Sequence, residues 1–195
     1  MTVIRRRIVW TGAALCAIVF AAAMFAKGMG FTSRGQPSAF EEKTMLAARR
    51  WATPRAIRDQ VNPVGATDEI VRGGMEHWAD HCATCHANDG SGRTEIGRSL
   101  YPPAPDMRAP RTQDLTDGEL FYVIEHGVPL TGMPAWGTGT TEGERESWQL
   151  VRFIRHLPRL TEKEAADMEK LNPKSAGDTE RERRIDDFLK GKGGH

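Results

Sequence analysis

Cys82-Ala83-Thr84-Cys85-His86 is the stretch on which the reading of this 195-residue chain turns. Two thiols three positions apart fall on one turn of a helix, and an imidazole follows at once. Zinc would need a second pair of ligands. The only other cysteine, Cys16, sits inside a long apolar run near the N-terminus, on the wrong side of the segment that carries the pentapeptide. A dithiol redox pair of the thioredoxin kind would need a βαβ surrounding, and no alternating apolar run reads as a strand. Neither context is present.

Covalent attachment of a porphyrin suits all three side chains. Two thiols so spaced reach the two vinyl groups on one edge of a haem and form thioethers. The next residue, His86, then lies beneath the iron as an axial ligand through Nε2. The other axial position needs a donor far along the chain. Met133, in Leu130-Thr131-Gly132-Met133-Pro134-Ala135-Trp136, is the candidate. Its thioether is a soft, neutral donor that favours ferrous iron, and Gly132 and Pro134 make a stiff loop from which the sulfur can face the ring. Met107, in a proline-rich loop, is the rival, while Met75 belongs to the first helix of the domain. His77, His81, His126 and His156 take helical or helix-end positions and read as surface or packing residues. The cofactor expected is one covalent haem c per chain, bound by Cys82, Cys85, His86 and Met133, with His86 and Met133 as iron ligands.

Around the pentapeptide the pattern is helical, so the fold class is all-α. Thr67-Asp68-Glu69 opens a segment with Ile70, Val71, Gly74 and Trp78 on one face. Thr116-Asp117-Gly118-Glu119 is a capping box ahead of Leu120, Phe121, Val123 and Ile124. Thr141-Glu142-Gly143-Glu144 repeats the cap before a run from Trp148 to Leu157, and Pro158 closes it. Long Gly/Pro loops at 87–114 and 127–140 predict segments that wrap something. Residues 67–160 are thus the folded haem domain, with 9 basic and 14 acidic residues, a balance of −5. Residues 28–66, punctuated by Gly28, Gly30, Gly35, Pro37, Pro54, Pro63 and Gly65, read as a linker with a short helix around Glu41–Ala52. Their arginines (Arg49, Arg50, Arg55, Arg58) read as a solvated face. Residues 161–195, with 8 basic and 9 acidic groups and Phe188 as sole aromatic, read as a charged C-terminal tail, mobile beyond a short helix after Thr161.

Residues 1–27 are a membrane segment. Ile8–Ala26 is 19 residues without a charge, roughly 28 Å as a helix, which matches the hydrocarbon core of a bilayer. Arg5, Arg6 and Arg7 precede it and only Lys27 follows closely, so the N-terminus is expected in the cytoplasm and the haem domain in the periplasm. Ala21 and Ala23 satisfy a small-x-small cleavage pattern, but the apolar run is longer than a usual signal core, which favours a retained single-pass anchor in the inner membrane. The net charge of +1 offers no acidic or basic excess that would point to nucleic acid, and 39 % hydrophobic residues exclude a polytopic membrane protein.

Taken together, residues 67–160 resemble the class I cytochromes c, small mono-haem electron carriers. Gly74 lies eight residues and Trp78 four residues before Cys82, where the family has a Gly and an aromatic, and Phe153 resembles the aromatic of its last helix. The resemblance implies that Gly74 lets two helices approach while Trp78 and Phe153 cover the haem side of the crossing. It further implies that a carbonyl near Pro102 or Pro103 accepts the Nδ1–H of His86, and that Trp136 or Arg98 bonds a haem propionate. Two protein ligands on one iron leave no open position for a small-molecule substrate, so the expected function is one-electron transfer between redox protein partners. A five-coordinate haem enzyme or sensor, and a haem subunit of a larger oxidoreductase docked through the charged tail, are the alternatives.

Overall fold

The computed structural model describes residues 2–29, 32–33, 35–174, 180–181, 183–186 and 190, in two units, Met1–Gly35 and Gln36–His195. The first unit is helix α1, Thr2–Met29. Its span Arg5–Gly28, 24 residues or roughly 36 Å, carries Ile8, Trp10, Phe20 and Phe25 fully toward the outside. A helix of this length that is apolar all round fits a single-pass membrane anchor.

In the second unit, α2 (Ala39–Ala52) starts at Ser38, whose Oγ accepts the Glu41 N–H at 3.2 Å, and a short α3 (Arg55–Arg58) follows Pro54. Helix α4 (Asp68–His77) is capped by Thr67 and runs into a π-helical turn at Trp78–Cys82 and then α5 (Ala83–His86). Two short helices, α6 (Glu95–Ser99) and α7 (Pro110–Gln113), lie inside the loop expected at 87–114. Helix α8 (Asp117–His126) begins with the capping box foreseen at Thr116 and Glu119. Helix α9 (Thr141–His156) is capped one residue earlier than expected, by Thr140, whose Oγ1 accepts the Gly143 N–H at 3.1 Å. A 3₁₀ turn at Leu157–Arg159 leads to α10 (Glu162–Glu169). No strand occurs among the described residues.

The core is the crossing of α4 and α9. A Cβ on Gly74 would strike the Gln149 carbonyl and stand 3.0 Å from Phe153 Cβ, so only glycine lets the two backbones meet. Trp78 and Phe153, both fully buried, meet with tilted rings 5.7 Å apart, and Phe121 lies flat on Trp148 at 4.1 Å. Trp78 Nε1 finds its partner in the Ala87 carbonyl at 3.0 Å. Polar staples close the periphery: Arg155 spans the Asp117 carboxylate (2.9 Å), the Gln113 carbonyl (2.6 Å) and the Leu115 carbonyl.

Two stretches behave differently from their composition. Residues 38–64, read as part of a solvated linker, are held to the domain by specific bonds. Asn62 Nδ2 donates to the Trp148 carbonyl (3.0 Å) and Arg152 Nε to that of Val64 (3.0 Å). The Arg58 carbonyl accepts from Thr116 Oγ1 at 2.6 Å, and Gly118 gives the α3 backbone room beside α8. Pro54 and Pro63 mark bends of a fitted segment here.

The charged tail also contributes to the core. Helix α10 has its own capping box, Thr161 with Glu164, and buries Met168 completely. In the amide orientation that satisfies both its ends, Asn172 bonds the Ala79 and Met168 carbonyls and the Asn88 side chain. Most of the tail beyond Lys174, expected to be mobile, and its aromatic Phe188 lie outside the described residues. Met168→Ala is expected to cost about 2–5 kcal/mol through the cavity it leaves, read as a lower denaturant midpoint with an unchanged slope.

Candidate functional site

The pentapeptide opens onto a cleft of about 1260 Å³, counting the part open to solvent. The π-helical turn ends on Cys82, α5 carries Cys85 and His86, and Ala87 just after it, with a φ of 61°, turns the chain sharply away. Cys82, Cys85 and His86 line the cleft from this side. The Pro-rich stretch Pro102–Pro105 with Met107 forms a second wall, α7 and α8 a third (Thr112, Leu115, Leu120, Val123, Ile124). The loop carrying Thr131, Met133 and Trp136 forms the fourth, with Leu150 and Ile154 of α9 at the base.

The walls are tied to one another by the backbone. The Gly92 N–H returns to the His86 carbonyl at 2.8 Å, and Thr94 Oγ1 donates to the Cys85 carbonyl at 3.1 Å. Met107 N–H donates to the Gly90 carbonyl at 2.7 Å, while Arg108 joins Asp89 (3.2 Å) to Asp106 (2.8 Å). The hydrogen bonds from Arg108 hold the Asp106 carboxyl below its ordinary range. On the far side, Met133 is clamped through its N–H to Thr131 Oγ1 (3.1 Å) and through its carbonyl to the Val128 N–H (3.0 Å).

The donors are in the states that a haem would use. Burial pushes the Cys82 thiol up to about 12, with Cys85 adding to the effect, so it stands as neutral S–H. Burial also lowers the pKa of His86, opposed by the Pro105 carbonyl, so the imidazole is neutral and keeps one nitrogen lone pair for a metal. His86 Nδ1 is buried without a hydrogen bond of normal geometry. The carbonyl that bears on it is that of Pro105, two or three residues beyond the Pro102 or Pro103 expected. An apolar slot with two thiols and a neutral imidazole on one wall and a thioether on another fits a covalently held haem.

Each of the four residues chosen from sequence, Cys82, Cys85, His86 and Met133, therefore lines the same cleft. Met107 lines it too, but its sulfur is approached by the Thr112 hydroxyl at 4.0 Å and it packs against the core; Met75 stays outside. His77 and His156 pair with Glu146 (3.9 Å) and Glu164 (2.9 Å), and His126 is exposed. His81 is exposed at the rim, edge-on to Trp136 at 5.4 Å. Arg98, offered as a propionate donor, is exposed, spends Nη1 on the Arg93 carbonyl and does not reach the cleft. Two other arginines do: Arg111 of α7 and Arg49 of α2. The sequence shows Arg49 only as one of several basic residues, because Arg111, which lines the cleft with it, lies 62 positions away.

The family model described as cytochrome C oxidase, cbb3-type, subunit III matches residues 69–154. The chain carries a c-type cytochrome domain. No curated protein matches the chain. The cytochrome domain implies covalently bound haem c and haem-based electron transfer. Its matched residues contain the pentapeptide, the Met133 loop and nearly all of α9, but neither α2 and α3 nor α10. Arg49 thus reaches the cleft from outside the matched region.

Proposed function

We propose that this chain is a membrane-anchored, mono-haem electron carrier in which Cys82 and Cys85 form the two thioethers and His86 and Met133 ligate the iron. The convergence of those four side chains on one apolar cleft carries this reading. Cys82 and Cys85 would hold the haem through thioethers, which need no net oxidation. Bound there, the haem supplies a one-electron ferric/ferrous couple. Leu115, Leu120, Ile124 and Ile154 would exclude water from the ring and so keep solvent reorganisation small. With His86 and Met133 both holding the iron, no position would be left for a substrate, and the chain would carry electrons rather than act as an enzyme. The arginines before the apolar span and the single lysine after it support insertion in the cytoplasmic membrane with the haem domain on the periplasmic side. The partners are redox proteins.

Met133→Ala tests the ligation. The wild type is expected to show a methionine–iron charge-transfer band at the red end of the visible spectrum and to resist carbon monoxide. The variant loses the band, binds carbon monoxide, and shifts its ferrous:ferric equilibrium toward ferric by more than tenfold, about 59 mV per tenfold for one electron. Met107→Ala keeps the band. A wild type that is high-spin and binds carbon monoxide readily would replace this reading with a five-coordinate haem enzyme or sensor. The description of the matched family favours a second reading, a fixed haem subunit of a larger oxidoreductase. Purification in mild detergent separates the two, since a stoichiometric partner marks a subunit and a free cytochrome marks a shuttle.

A further inference from the structure

Arg49 and Arg111 stand together at an apolar cleft, and only one of them has a carboxylate. Arg111 Nη1 meets Glu42 of α2 at 2.5 Å, and Arg50 Nε takes Glu119 at 3.3 Å. Arg49 lies seven residues after Glu42, on the same face of α2. Among the described residues no carboxylate comes within ion-pair distance of it, and Glu119 acts on it only from further away. It is half-buried, and both its burial and the charge of Arg111 press its pKa downward. A cation placed in an apolar site beside a second cation is costly unless an anion joins them. Nor is this cost offset by the seating of α2, which buries none of its own residues. Side-chain bonds at its surface fasten it: Glu42 to Arg111, Arg50 to Glu119, and Glu41 to the Tyr101 hydroxyl at 2.8 Å.

A haem c brings the anion that is missing. Its vinyl-derived edge is consumed by the thiols, and its opposite edge carries two carboxylates that must be paired or solvated. Guanidinium groups match carboxylates in a planar, two-bond geometry. We propose that Arg49, with Arg111 beside it, holds the carboxylate edge of the haem, so that α2 belongs to the haem site although it lies outside the matched cytochrome residues. This rests on the cleft being the seat of the haem. A cation at that edge favours the ferrous state, which carries one positive charge fewer.

The test uses the mature, membrane-anchored holoprotein. Resonance Raman propionate bending modes and the midpoint potential are measured for the wild type, Arg49→Gln, Arg49→Lys and Arg98→Gln. Arg49→Gln is expected to move the propionate modes and to shift the ferrous:ferric ratio several-fold toward ferric. Arg49→Lys is expected to restore most of the potential while its modes still differ, because an ammonium makes a different contact. Arg98→Gln matches the wild type. Unmoved modes and potential in Arg49→Gln overturn the proposal. So does a response confined to Arg98→Gln. If Arg49→Gln fails to mature, wild-type modes in Arg49→Lys overturn it instead. Mass mapping of the wild-type haem peptide checks the parent reading separately. Haem absent from Cys82 and Cys85 removes both, whereas haem present there with unmoved modes removes only this one.

Discussion

Gly74→Ala is expected to destabilise the protein by about 2 kcal/mol, whereas Gly73→Ala one residue earlier is expected to be neutral or slightly stabilising. Both substitutions raise helix propensity in α4 by about 1 kcal/mol. They differ in what the new Cβ meets. At Gly73 the nearest atom is the end of the Gln149 side chain, Oε1 at 3.3 Å, which can swing aside. At Gly74 it is the Gln149 main chain, with the carbonyl carbon at 2.8 Å and the oxygen nearer still. The backbone of α9 can yield only by moving Trp148, Val151 and Phe153, all buried. Overpacking of this kind costs about 3 kcal/mol, which outweighs the propensity gain. Against a total stability of about 5–15 kcal/mol that is a large loss. Gly74→Val, with a branched side chain in the same place, is expected to prevent closure of the crossing altogether. Denaturant midpoints of the holoproteins decide the matter; equal midpoints for the two alanine variants would show that α4 and α9 do not meet through Gly74.

The largest chemical effect is expected from removing both thiols. Protein with Cys82→Ser and Cys85→Ser, made in a host competent for cytochrome c maturation, should carry no covalent haem, with the mass of the bare polypeptide and no haem stain after denaturing electrophoresis. A hydroxyl does not add to the vinyl groups as a thiol does. Each single variant should keep one thioether and a red-shifted haem spectrum. The double variant should also be less stable, because haem then stabilises the fold only by mass action, to the extent that it stays bound. Leu115, Leu120 and Ile124 would otherwise face water across the cleft. Haem that survives denaturation in the double variant would mean attachment elsewhere on the chain.

The chemistry of this protein is unusually local in sequence. Two thiols and an imidazole within five residues need only one helical turn to become a unit, so the cofactor and the c-type cytochrome domain were legible from the chain alone. The helices were legible for the same reason. Caps such as Thr116 with Glu119 act over three residues, and the apolar faces of α4 and α9 repeat within a turn or two. The long apolar span of α1 needs only its own side chains to declare itself.

What depended on contacts between distant residues was not legible. Nothing in Glu41–Ala52 announces that Arg49 will reach a cleft built from residues 78–154, or that Glu42 will meet Arg111. Composition alone made residues 28–66 a linker, because bends rich in glycine and proline look the same whether the chain is free or fitted. Met168 likewise sits in a strongly charged stretch, yet α10 folds back to bury it. The carbonyl facing His86 moved from Pro102 or Pro103 to Pro105 because the path of a proline-rich loop is set by where it is tied, here through Arg108 and Met107. Bonds that close over three or four residues are written in the order of amino acids. Those that close over longer stretches depend on how the helices cross and the loops are tied, and only the folded chain decides them.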